Sequence, residues 1–173
     1  MYFFTADWHL FHYNILHYDG RPFSSTEEMH KCFISNHNEV VKPNDRVIFV
    51  GDFSFASRGR TEEIIKQLNG NHTFLKGDHD SWLGNRGRYV WEGTIEGHYM
   101  FIMHWQMYVW PRSHYNSWNL FAHSHGRSKP LGKQIDVGIM NNNYYPFSFE
   151  QIFNIMTCNR GDNTNLVQNY KHI

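Results

Sequence analysis

Short runs dominated by β-branched and aromatic residues punctuate the chain at Tyr2–Thr5, Arg46–Val50, His72–Leu75, Tyr99–Met103, Asn119–Ala122 and Gln134–Val137, and each is predicted to be a strand. Between some of them the apolar spacing is helical. Ser25-Thr26-Glu27-Glu28 has capping-box form and opens a helix towards Val41, which Pro43 stops. Thr61–Leu68 reads as a short amphipathic helix ended by Asn69-Gly70. Ser148 with Gln151 repeats the capping-box form and starts a helix through about Met156. Strand and helix alternate in the first half and strands dominate the second, which predicts sheets in the interior with helices outside, an α/β sandwich. The pattern contains no linker and no internal repeat. One domain over residues 1–158 is expected, followed by a polar, loosely packed tail, 159–173.

Composition adds little until histidine is counted. A chain of 173 residues can bury a sizeable core. Its 16 Lys and Arg balance 16 Asp and Glu, which removes the electrostatic footprint of a duplex-DNA or anionic-membrane binder. Two cysteines, Cys32 and Cys158, are too few for a disulfide framework and read as reduced thiols of a cytoplasmic protein. No run has the ~18 apolar residues of a membrane span, and MYFFTADWHLF, with Asp7 and His9 and no basic leader, does not read as a signal peptide. Thirteen histidines are a large excess. Their positions carry the information.

The predicted strands deliver Asp or His one after another at their C-terminal ends. The first runs into Asp7-Trp8-His9, the second into Gly51-Asp52, the third into Gly77-Asp78-His79-Asp80, the fourth into His104, and the fifth into His123-Ser124-His125-Gly126. In an α/β sheet that edge is where ligands bind. Singly, each is an ordinary turn residue or half-buried polar group; residues two apart, as in Asp7/His9 and His123/His125, would share a face of extended chain. Together they form an ordered series of carboxylates and imidazoles without thiolates, a donor set suited to Mn, Fe, Zn, Co or Ni. Seven candidate ligands, Asp7, His9, Asp52, Asp78, His104, His123 and His125, exceed what one tetrahedral ion uses and suit two ions sharing a carboxylate.

The series D-x-H, G-D, G-x-H-D, H, H-x-H resembles the calcineurin-like metallophosphoesterase family, over roughly residues 1–150. Phe11-His12-x-Asn14-Ile15, Arg21-Pro22-Phe23 and Tyr144-Tyr145-Pro146-Phe147 resemble its small bacterial and phage members. The resemblance implies two β-sheets flanked by helices and two divalent metal ions, manganese first among them, with a bridging hydroxide. By it Asp7, His9 and His125 hold one ion, Asp52 bridges, and Asp78, His104 and His123 hold the second. His79 lies over the substrate as phosphate contact and proton donor, with Asp80 orienting its ring.

One letter departs from the family pattern: Asp78 stands where Asn is usual. Asp offers acceptors only and adds a charge, whereas Asn also offers an N–H to phosphate, so Asp78 implies reduced activity. Ala122 replaces the usual Gly, and Trp105-Gln106 stands where Tyr-Pro is frequent. Candidate substrate contacts are Arg21, His12, Arg112 and His114, the last two in the aromatic loop WQMYVWPRSHYNSW, which could stack bases. The chain has no room for a large cap domain, so the site is expected to be open. The reading is a phosphodiesterase on nucleotide-type substrates, a nucleotide or oligonucleotide, with no membrane partner. Phosphomonoester hydrolysis, or a catalytically weakened phosphate- or nucleotide-binding protein, are the alternatives.

Overall fold

In a computed structural model, residues 1–163 are described, apart from the Arg86 side chain. The elements in chain order are β1 (Tyr2–Thr5), α1 (Ile15–Tyr18), α2 (Thr26–Val40), β2 (Arg46–Val50), α3 (Arg58–Ile65), β3 (Asn71–Leu75), β4 (Val90–Ile95), β5 (His98–Met103), β6 (Trp118–Phe121), β7 (Gln134–Asp136), β8 (Phe147–Ser148) and α4 (Phe149–Asn154). They build two four-stranded mixed sheets, ordered β3-β2-β1-β8 and β4-β5-β6-β7. In the first, β1, β2 and β3 are parallel and β8 is antiparallel; in the second, β5, β6 and β7 are parallel and β4 is antiparallel. This is the expected sandwich of two sheets flanked by helices.

The alternation of side chains along each strand divides the core in two. Phe4, Ile48 and Val50 of the first sheet meet Met100, Ile102, Leu120 and Ile135 of the second, closing the layer between the sheets. Phe3, Val47 and Phe49 point the other way, onto Trp8 and the Met29 and Phe33 face of α2. Trp8 packs edge-on against Phe33 and Phe49. Strands buried on both faces explain the unbroken apolar runs.

The helix signals hold with small shifts. Ser25 caps α2 by accepting from the Glu28 N–H, while the Glu28 carboxylate reaches Ser24 rather than Ser25. The capping box at Ser148 is complete, and the turn that continues α4, Ile155–Asn159, winds as a π-helix. α3 starts earlier than its apolar spacing predicts. β4, with Glu92 and Gly93 inside it and mostly exposed, has no clear strand pattern. Residues 159–163 correct the expected loose tail: Arg160 donates to the Gln134 carbonyl, and buried Asn163 bonds Lys133, Asn116 and Ser117. The rest of the expected tail, 164–173, lies outside the described residues. No helix among the described residues is long and apolar enough to cross a membrane.

Two buried histidines of α2 do structural work. His30 Nε2 accepts the Phe11 N–H at 2.9 Å and braces the chain that follows β1. His37 Nε2 lies 2.8 Å from the Asn69 carbonyl. Burial pushes each imidazolium from 6.5 down to about 4. Their folded-state pKa lies below the unfolded one, so the unfolded chain binds more protons and stability falls as pH drops from 6.5 towards 4. His30→Gln should flatten part of this slope in the metal-free protein, read as the difference in urea midpoint between pH 7 and pH 5.

Candidate metal centre

The parallel strands β1, β2, β3, β5 and β6 all point their C-terminal ends at one edge of the sandwich, and the chain bends sharply as it leaves them. Asp7, His9, Asp52, His123 and His125 all sit in the left-handed region, with φ between 49° and 66°. Such backbone is uncommon for residues with a side chain and concentrates where structure serves a site. Asp7 and His9 thus reach one donor group through paired left-handed bends rather than extended chain, whereas His123 and His125 turn into different groups.

These bends bring the donors together in three overlapping groups, each with its atoms within 4.8 Å of one another: Asp7, His9 and His125; His9, Asp52 and His79; and Asp52, His104 and His123. Asp52 Oδ2 lies 3.6 Å from His9 Nε2 and 3.3 Å from His104 Nε2, between the outer groups. His9 and His125 face each other through their Nε2 atoms at 3.1 Å. Asp78 stands at the rim, its Oδ2 3.2 Å from His123 Nδ1, and outside the three groups. With Asp78, His79 and His123 each between 43% and 50% exposed, one side of the centre is open.

The donor set fits divalent cations. Asp7 Oδ2, His9 Nδ1 and His104 Nε2 are buried with no hydrogen-bond partner among the described residues, and such atoms are rare without a function. His104 Nδ1 points at the Val50 carbonyl, 2.8 Å away, which fixes a proton there and leaves Nε2 as the donor to a metal. Burial raises the Asp7 carboxyl to about 7 and lowers the His9 imidazolium to about 2. For His104 burial acts downward, but the Asp52 carboxylate overcomes it and lifts the ring to about 9.

Asp80 corrects its expected role. It is fully buried, and its carboxylate partners do not include the His79 ring. Its carboxylate accepts five N–H groups: Asp52 and Gly77 on Oδ2, and Phe53, Ser54 and the Trp82 indole on Oδ1. It therefore fixes the turn that carries Asp52. His79 is oriented instead by Phe55, on which it stacks at 4.2 Å, while its backbone N–H donates to Asp52 Oδ1. His12 stacks on the same Phe55 at 4.1 Å, with its ring 5.8 Å from that of His9.

The other substrate contacts are corrected too. Arg21 is buried, and all five of its N–H groups are engaged, by Asp19, Met29 sulfur and the Trp8 and Asp7 carbonyls. It has none left for phosphate. Arg112 lies over the Tyr99 ring at 4.2 Å, near the start of β5. Tyr99 and His104 are five residue rises apart along the strand, roughly 16 Å. His114 packs on Tyr115 in the turn that enters β6. Both are at the far end from the centre. Residues the sequence did not single out are Phe55 and Asp19, whose carboxylate lies 2.6 Å from His125 Nδ1. Asp19-Gly20 reads in sequence as a plain turn.

Fold and donor set together define a two-sheet α/β protein with candidate metal-binding Asp and His groups at its strand ends. The chain belongs to the same family as the uncharacterized protein MJ1445 of Methanocaldococcus jannaschii, to which it is 30% identical over 167 residues, 89% of this chain and 90% of that one. Among solved structures it is similar to the protein of unknown function AQ665 from Aquifex aeolicus, with a TM-score of 0.70 at 20% identity, covering 90% of this chain and 98% of the other. A more distant likeness, TM-score 0.48 at 16% identity over 79% of this chain and 72% of the other, is to a single mutant of Vps29 from Entamoeba histolytica. No protein-family model matches the chain.

Two substitutions test this architecture. Bonds to a charged acceptor contribute about 1.5–3 kcal/mol each and do not add fully. Asp80→Asn, which turns an amide towards N–H donors, should cost at least ~3 kcal/mol in urea unfolding of the metal-free protein. Gly77→Ala would set a Cβ 2.3 Å from Asp52 Oδ1 and 2.6 Å from its backbone nitrogen. Asp52 must then move, and bound metal, read by elemental analysis, should fall below that of the wild type.

Proposed function

We propose that the chain is a divalent-metal-dependent phosphoesterase, and that its substrates are phosphodiesters of nucleotide type. The observation that carries this reading is the overlap of the donor groups: Asp52 belongs to two of them and lies between the histidines of both sides. A shared carboxylate is what a pair of ions needs. Asp7, His9 and His125 would hold one ion, His104 and His123 the other, and Asp52 both, with Asp78 within reach of the second. When bound, two such ions supply an activated water and Lewis acids for the phosphoryl oxygens. Manganese is the first expectation, and iron, zinc, nickel and cobalt suit the same donors.

The remaining work falls to the protein. His79 is 43% exposed over the centre and stacked on Phe55, a position from which a ring nitrogen can hand a proton to a leaving oxygen. The open side is flanked by ring and cation groups. Trp105 lies against Tyr89, which Lys76 also covers. On the other flank Tyr18 lies near His12, and exposed Arg127 bonds the Tyr18 carbonyl. Aromatic faces and cations beside a phosphate site favour a nucleotide strand over a compact monoester.

A second reading rests on Asp78. Its carboxylate lies against His123, adds negative charge at the open side, and has no N–H to offer phosphate. This favours a weakened enzyme that binds phosphate more than it turns it over. Hydrolysis of bis-p-nitrophenyl phosphate with Mn²⁺ should rise on the order of 10²-fold in Asp78→Asn, the cost of one transition-state donor. It should exceed hydrolysis of p-nitrophenyl phosphate. Preference for the monoester would overturn the diester assignment. Metal-loaded wild type and variant that both fail on either ester would leave the binding protein as the better reading.

A further inference from the structure

The carboxylate of Asp19 is almost completely buried, at 1% side-chain exposure, yet it has no catalytic or ligand position in the centre. It ends the short helix α1 and meets four nitrogen contacts. Oδ2 lies 2.6 Å from His125 Nδ1 and takes Arg21 Nε and an Arg21 terminal nitrogen at 3.2 and 3.0 Å; Oδ1 takes Arg127 at 3.0 Å. Arg21 in turn donates to the backbone carbonyls of Asp7, at 2.8 Å, and Trp8, at 3.0 Å. The chain Asp7–Arg21–Asp19–His125 joins two loops more than 100 residues apart in sequence, and both carry donors of the same group.

We infer that Asp19 is the positioning residue of one ion site: it fixes the His125 ring with Nδ1 protonated and Nε2 turned to the ion, and through Arg21 pins the loop that bears Asp7 and His9. The physical logic is direct. A carboxylate on one ring nitrogen settles which nitrogen carries hydrogen and raises the donor strength of the other. The structure shows His125 Nε2 turned inward, 3.1 Å from His9 Nε2 and 4.0 Å from Asp7 Oδ1. Arg21 lets a buried carboxylate exist here at all, because an unpaired charge would be costly. Arg127, at 65% exposure, closes the outer face. His104 solves the same problem with a neutral partner, the Val50 carbonyl, so the two ion sites are buttressed differently.

That difference makes the inference testable. It rests on the reading of Asp7, His9 and His125 as ligands, and titration of metal-free protein with Zn²⁺ separates the two. The wild type should take up two ions. Asp19→Asn should bind one ion as the wild type does and the other roughly 10- to 100-fold more weakly, whereas a merely structural role would weaken both together. Asp19→Glu, which keeps the charge, should recover part of the loss. A wild type that binds no ion overturns the ligand reading and this inference with it; equal binding by wild type and Asp19→Asn, or parallel weakening of both sites, overturns this inference alone. Should Asp19→Asn fail to fold, long-range ¹H–¹⁵N NMR of the Zn²⁺-loaded wild type decides. The His125 ring should carry its proton on Nδ1 and bind through Nε2, and ligation through Nδ1 overturns the inference.

Discussion

The Asp80 carboxylate, fully buried and accepting five N–H groups, is the interaction on which the centre depends. Three of those donors are the consecutive amides of Asp52, Phe53 and Ser54, which a strand ending in a left-handed residue leaves without partners. Buried amides must be satisfied. Here one side chain from the end of β3 satisfies them for the end of β2, and so locks the two strand ends into one relative position. Asp52 then has a single place to be, with Gly77 and Gly51 packed too closely against it and His104 to allow a Cβ. Everything the centre can do with Asp52 follows from that lock.

Around it the protein divides labour between neutral and charged supports. The first sheet, its helices and Trp8 hold the turns after β1 and β2 through packing, with neutral His30 as a brace. The outer loops, which packing reaches less well, are tied by charge: Asp19, Arg21 and Arg127 connect the turn after α1 to the His125 loop. Asp136 does the same locally, accepting from Ser124 and from the Gly126 and Gly138 amides. A centre assembled from five loops thus rests on a small number of buried carboxylates that bind no substrate.

Much of this was legible in sequence because the strands are short and buried on both faces. β1 and β2 are bounded as their apolar runs predict, and the ordered Asp and His residues at strand ends do meet, with Asp78 at the rim. What sequence could not give is the partner of a group whose partners are backbone amides or lie far along the chain. Asp80 reads as a neighbour of His79, but its donors are mostly 26 to 28 residues earlier. Arg21 reads as a phosphate clamp, and nothing local reveals that its five donors are taken. Arg112 and His114 fall in a loop that begins at the centre, but the loop must return to the start of β6, and it carries them away. β4 was missed because an exposed edge strand held by its hairpin partner needs no apolar pattern.

The left-handed bends at Asp7, His9, Asp52, His123 and His125 have an evolutionary consequence. At such positions glycine and asparagine are the replacements the backbone tolerates best. Loss of the centre should therefore be nearly free of folding cost, even a gain in thermal robustness, when it passes through those two residues. Relatives that keep the sandwich without these donors would carry Gly or Asn at these five places.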